Sequence, residues 1–167
     1  FTPANFATIV ENSSVSVKVT NNYVPDAYDA STLFTFTKTL TSNGIALTNK
    51  TFEFVAHLAD ENGELSHNRE SVMHGRVTVN SGIGAVAIDF DELKLSQTGT
   101  YYYLVTEAVG SDGGIYYDST EFLISFEVYD DGSGQLKLKE NTVALKARAN
   151  VDQDWTAAAD WNFENIY

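Results

Sequence analysis

No cysteine occurs among the 167 residues, which excludes disulfides, thiolate metal sites and a cysteine nucleophile together. Any covalent reinforcement of this chain must therefore come from something other than sulfur. Basic residues are also scarce: 10 Lys and Arg stand against 23 Asp and Glu, for a net charge of −13. Phosphate backbones and anionic membranes would be repelled, so nucleic-acid and lipid partners are set aside. No apolar run approaches membrane-spanning length, and the first residues lack a basic start followed by an apolar stretch. The sequence thus reads as a mature segment, with any signal peptide or anchor outside it. His57, His67 and His74 lack a metal-ligand spacing, and neither a metal nor a cofactor is expected.

What is abundant is period-2 alternation rich in Thr, Val, Tyr and Phe, the pattern of strands rather than helices. Strands are expected at Ser14–Thr20, Thr32–Leu40, Thr51–Leu58, Gly75–Asn80, Ala85–Phe90, Thr100–Ala108, Glu121–Tyr129, Gly134–Lys139, Thr142–Ala149 and Asp160–Tyr167. Turn signals separate them, among them Ser42-Asn43-Gly44, Asp60-Glu61-Asn62-Gly63, Asp112-Gly113-Gly114 and the hairpin-like Asp130-Asp131-Gly132-Ser133-Gly134. The fold class is all-β, an Ig-like β-sandwich of antiparallel sheets. At most one or two short helical turns are expected, at Asp89–Leu95 and Val151–Ala159.

An internal echo bears on domain organisation. Val19-Thr20-Asn21-Asn22-Tyr23 repeats the pattern of Phe163-Glu164-Asn165-Ile166-Tyr167. Residues 1–23 then read as the closing strands of a preceding repeat, or else as an N-terminal strand of the same domain. Residues 24–30 read as a linker and 31–167 as the domain itself.

Splitting each strand into its two faces exposes three polar residues in the wrong phase. Lys38 continues a row with Phe34 and Phe36; Glu107 ends a row of Tyr101, Tyr103 and Val105; Asn165 stands between Phe163 and Tyr167, in line with Trp161. Burying any of these alone is costly, by several kcal/mol for either charge. Complementary misfits suggest that they meet. The residues leave two readings open: a buried Lys–Glu pair bridged by Asn or strand ends reaching water, and a reactive site. In the reactive reading, desolvation favours a neutral amine on Lys38 and a protonated Glu107 that polarises the Asn165 carbonyl. Attack of the amine on the Asn165 amide would expel ammonia and leave an isopeptide bond.

The segments Phe34-Thr35-Phe36-Thr37-Lys38-Thr39-Leu40, Phe52-Glu53-Phe54 and Gly99-Thr100-Tyr101-Tyr102-Tyr103-Leu104-Val105-Thr106-Glu107 carry a resemblance. So do Tyr117-Asp118-Ser119-Thr120, Val128-Tyr129-Asp130-Asp131-Gly132-Ser133-Gly134 and Phe163-Glu164-Asn165-Ile166-Tyr167. In order and spacing they resemble the streptococcal-type pilin isopeptide domain of Gram-positive pilus shafts and surface adhesins, over roughly residues 31–167. The resemblance implies that Lys38 and Asn165 form the crosslink and that Glu107 is its catalytic residue. It also implies that Asn21 is the remnant crosslink Asn of a preceding repeat. Lys18, out of phase with Val15, Val17 and Val19, is not a candidate.

The expected function is thus a structural stalk or shaft domain, crosslinked once per molecule and not a turnover enzyme. Its expected location is extracellular, on a cell-wall-attached surface or pilus. Its expected partners are adjacent domains or pilin subunits of the same fibre, with a host surface ligand as a further candidate. The alternative is an adhesive module recognising host glycan or matrix protein, which an exposed aromatic patch would favour and inward-facing aromatics would disfavour. No sortase signal of the Leu-Pro-x-Thr-Gly type is present, and no clear lysine-bearing pilin motif.

Overall fold

The computed structural model describes residues 18–66 and 72–167. Its strands are β1 (Tyr28–Asp29), β2 (Thr37–Thr41), β3 (Lys50–Ala59), β4 (Val72–Val79), β5 (Val86–Ala87), β6 (Asp89–Phe90) and β7 (Lys94–Leu95). They continue with β8 (Gly99–Glu107), β9 (Glu121–Asp130), β10 (Leu136–Leu138), β11 (Ala144–Arg148), β12 (Thr156–Ala157) and β13 (Asn162–Ile166). The large sheet is eight-stranded, ordered β12-β11-β9-β8-β3-β4-β6, with β10 also paired to β9. A three-stranded sheet, β13-β2-β5, forms the second layer, and β1 pairs β7 at the side. The protein is a β-sandwich.

Alternation explains why these segments are strands and which face each buries. In β4, Met73, Gly75, Val77 and Val79 are buried while His74, Arg76 and Thr78 are exposed. Phe52, Phe54 and Ala56 of β3 turn inward in the same way. Across the layers, Phe163 of β13 lies against Phe54 of β3 and Phe122 of β9, with ring centroids 5.0 and 4.8 Å apart. Phe36 adds a contact to Phe122 at 5.3 Å. Aromatic pairs at such spacings stabilise by about 0.5–1.5 kcal/mol each beyond their area burial.

The second layer has a feature that period-2 reading did not anticipate. The first and last of its strands in sequence, β2 and β13, pair in parallel, with Phe163 opposite Lys38 and Asn165 opposite Leu40. On the outer face, the hydroxyls of Thr37 and Thr39 both donate to Asn162 Oδ1, at 2.9 and 3.1 Å, which pins the register. The expectation of antiparallel sheets therefore holds for the large sheet and for β2–β5, but not for this ladder.

Several segment expectations are corrected. The strand expected from Thr32 starts only at Thr37, because Ser31–Leu33 forms a 3-10 turn. Ala85–Phe90 is split: β5 joins the small sheet and β6 the large one, the chain crossing between layers at buried Ile88. Its amide donates to the Phe36 carbonyl at 2.9 Å, which fixes the corner. Asp89–Leu95 is not helical but supplies β6 and β7, and Val151–Ala159 forms turns and β12. Both segments are apolar enough for a turn of helix, and cross-strand partners decided otherwise.

Most of the expected Ser14–Thr20 strand falls on residues outside those described, and Lys18–Thr20 form no strand. Within 24–30, the Asp26 amide donates to the Gly134 carbonyl at 2.8 Å, and Ala30 is fully buried. Tyr23 donates its hydroxyl hydrogen to Asp130 and accepts from the Gly134 amide, at 3.0 and 3.1 Å. The chain therefore runs onto the β9–β10 hairpin before entering the core.

Gly75 lets β6 close over β4. A Cβ there would meet the Phe90 ring at 2.6 Å and Ile88 at 3.0 Å, both fixed by the corner. Gly75→Ala is expected to destabilise the fold by roughly 1–3 kcal/mol through overpacking. Denaturant unfolding measures this, and an unchanged midpoint would show that the corner yields freely.

Candidate functional site

The three residues out of phase are brought together by three different elements. Lys38 comes from β2 and Asn165 from β13, neighbours in the parallel ladder. Glu107 closes β8 in the facing layer, directly opposite Phe54 of β3. Lys38 and Asn165 are 0% exposed and Glu107 is 8% exposed; they are the only buried polar or charged residues among those described.

Their geometry is specific. Lys38 Nζ donates to Glu107 Oε2 at 2.7 Å, and Asn165 Nδ2 donates to Glu107 Oε1 at 2.6 Å. One carboxyl group therefore spans the amine and the amide nitrogen. The Lys38 Nζ also lies 5.0 Å from the centre of the Phe52 ring and 6.0 Å from that of Phe54. Burial pushes the Lys38 amine below its ordinary pKa, with the Glu107 contact opposing. Burial pushes the Glu107 carboxyl up, again with Lys38 opposing. Both shifts move the pair toward neutral amine and neutral acid, because desolvation outweighs the attraction.

The amide oxygen of Asn165 has a different partner from the one expected. Glu107 meets the amide nitrogen, whereas the carbonyl oxygen accepts from the backbone amide of Asp118 at 2.7 Å. The expectation that Glu107 polarises this carbonyl is therefore corrected: the donor is main chain. Asp118 sits in the β8–β9 connection, which folds over the end of the site. Tyr116 exchanges backbone hydrogen bonds with Ile166 at 2.7 and 3.2 Å, and the Tyr117 ring packs on Phe52 at 6.0 Å. The Asp118 carboxylate accepts from the amides of Thr120 and Glu164, at 2.8 and 2.7 Å.

Sequence phase could not find Asp118, since it lies on no strand. The signal available was Asp118-Ser119-Thr120, in which an Asp bonds the amide two residues on. Asn21 stands apart from the three, exposed on the approach to the domain. Among the described residues no group of His, Asp or Glu side chains converges as a metal site; His67 lies outside them.

With this arrangement in view, comparison with known proteins is informative. No curated protein matches the chain. Among solved structures, a point mutant of the major pilin from Streptococcus pyogenes is similar with TM-score 0.52 and 18% identity. That likeness covers 87% of this chain and 51% of the pilin. The unmutated Streptococcus pyogenes major pilin aligns with TM-score 0.48, 17% identity and the same coverage. The T-13 major pilin of the same species gives 0.48 and 16%, covering 86% of this chain and 52% of that one. The chain thus spans about half the length of these pilins, and the likeness at TM-score 0.52, with 18% identity, speaks for a shared fold alone. The FctA family model, described as the Spy0128-like isopeptide containing domain, matches residues 34–167. From the first core aromatic to the last residue, the chain belongs to this family of isopeptide-containing pilin domains.

Proposed function

We propose that this domain is a load-bearing segment of a Gram-positive pilus or surface fibre, locked by a self-formed isopeptide bond between Lys38 Nζ and Asn165 Cγ. The observation that carries the reading is the Glu107 carboxyl, held between amine and amide in a buried site. Its two oxygens face the nucleophile and the leaving group, which suits a proton relay. The neutral amine attacks Asn165 Cγ, and Glu107 gives a proton to Nδ2 as the Cγ–Nδ2 bond breaks. Ammonia departs, and Glu107 takes a proton back from Nζ. Folding supplies the proximity. The chemistry occurs once in the life of the molecule, so the domain is a structural protein rather than a turnover enzyme.

The crosslink would join β2 to β13, so force entering on the first of these strands leaves by the last without unzipping the strands between them. Residues 1–23 would close a preceding repeat, with Asn21 as its remnant crosslink residue, and 24–30 would link the two. The hydrogen bonds of Tyr23 and Asp26 to the β9–β10 hairpin suit a stiff junction. Partners would be neighbouring domains or subunits of the fibre, and the location an extracellular pilus or wall-attached surface. The adhesive alternative is less well supported: Tyr103 is fully buried, and the half-buried Tyr101 stacks on Phe126 at 5.8 Å. These two rings therefore pack with the core, which favours the structural reading over an exposed binding patch.

Intact mass of the denatured protein is the direct test. Wild type is expected to fall short of its sequence mass by one ammonia, and Lys38→Ala, Glu107→Ala and Asn165→Ala to show full mass. Full mass in wild type would refute the crosslink. Because the bond closes a loop of nearly the whole domain, Asn165→Ala should lose about 5 kcal/mol of stability, lowering Tm by roughly 10–20 °C. Calorimetry with wild type and variant at equal concentration reads this, and equal Tm values would mean that the bond contributes nothing measurable.

A further inference from the structure

The main-chain amide of Asp118 serves no strand. It points at the one atom on which negative charge must develop if Asn165 is attacked. Attack by Lys38 Nζ opens the Cγ=Oδ1 π bond onto Oδ1; collapse re-forms it and breaks Cγ–Nδ2. A donor fixed on Oδ1 lowers the barrier to both steps, provided that it is already in place before the charge appears. The Asp118 amide stands 2.7 Å from Oδ1, within the range such donors need.

What holds that amide in place is the residue's own side chain. One carboxylate oxygen accepts from the Thr120 amide at 2.8 Å, closing a turn around Asp118. The other accepts from the Glu164 amide at 2.7 Å, tying the turn to the residue before Asn165. The loop donor is thus fastened to the strand that carries the amide it faces, at the residue just before Asn165. The antiparallel bridge between Tyr116 and Ile166 adds a second fastening one residue beyond.

We propose that Asp118 is the oxyanion donor and positioning residue of crosslink formation, its backbone amide stabilising the tetrahedral intermediate and its carboxylate setting that amide in place. The inference rests on the crosslinking reading above, and assigns Glu107 the protons and Asp118 the oxygen. Glu107 alone leaves the developing charge on Oδ1 unmet on a fully buried side chain, where an unpaired charge is most costly.

The test follows ammonia loss by intact mass at successive times after a pulse of cell-free synthesis of the full chain. Asp118→Ala keeps the amide but releases the turn, and should slow the reaction about 10–100-fold. Asp118→Asn retains a side-chain acceptor for one of the two amides and should fall between that variant and wild type. A merely structural role is separated by making Asp118→Ala in the Glu107→Ala background, where no bond forms. There the folded state should persist by circular dichroism, so that slowing in the reactive chain is not loss of fold. Should Asp118→Ala fail to fold, amide exchange in Glu107→Ala decides: the Asp118 amide should be protected, and lose protection when Asn165→Ala is added. Wild-type rates in both Asp118 variants, or protection indifferent to Asn165, would overturn the inference. Full mass in wild type would overturn the crosslink itself, and Asp118 with it.

Discussion

The parallel ladder between β2 and β13 joins the two ends of the isopeptide domain, and the rest of the architecture is arranged around it. Parallel neighbours cannot be linked by a tight turn, so everything between Thr41 and Asn162 is one long excursion that returns beside its start. That excursion builds the large sheet, which supplies the second wall of the core and the carboxyl of Glu107. A one-residue slip of either strand would turn its own site residue, Lys38 of β2 or Asn165 of β13, to the outer face and away from the other, because side chains alternate at every residue. The Thr37 and Thr39 hydroxyls on Asn162 guard against that slip.

Electrostatics at the site are a contest between desolvation and pairing. A lysine inside a wall of phenylalanines loses its hydration, and a single hydrogen-bonded carboxylate does not fully restore it. The surrounding aromatic faces help a cation only modestly, on the order of 1–2 kcal/mol. Burial is the leading influence on both groups, lowering the amine and raising the acid. A pair balanced this way is a poor source of stability as an ion pair and a good starting point for chemistry between neutral partners. The same low dielectric that penalises the charges strengthens each hydrogen bond among Lys38, Glu107, Asn165 and the Asp118 amide.

The sequence by itself determined the strand faces, and with them the identity of the buried polar residues. Lys38, Glu107 and Asn165 were legible because a strand has a strict period of two, so a polar side chain in an aromatic row can only point inward. The turns at Asp60–Gly63 and Asp130–Gly134 were legible for a local reason too, since Asp60, Asp130 and Asp131 cap backbone amides within a few residues. Such signals need no knowledge of distant partners. Segments with weak local preference went the other way. Phe34 and Phe36 alternate like a strand, yet the chain there is fixed by a 3-10 turn and by core packing. Asp89–Leu95 became two short strands only because β4 and β1 were there to pair with them.

Only the tertiary structure decided which groups face which atoms of Asn165. The parallel pairing of the first and last strands, the contact of Glu107 with the amide nitrogen, and the Asp118 amide on the carbonyl oxygen all join residues far apart in sequence. No periodicity encodes such contacts, because they depend on strand order, on register across layers and on how one loop folds back. A side chain's direction is a local property of the backbone, whereas its partner is a property of the whole packed fold.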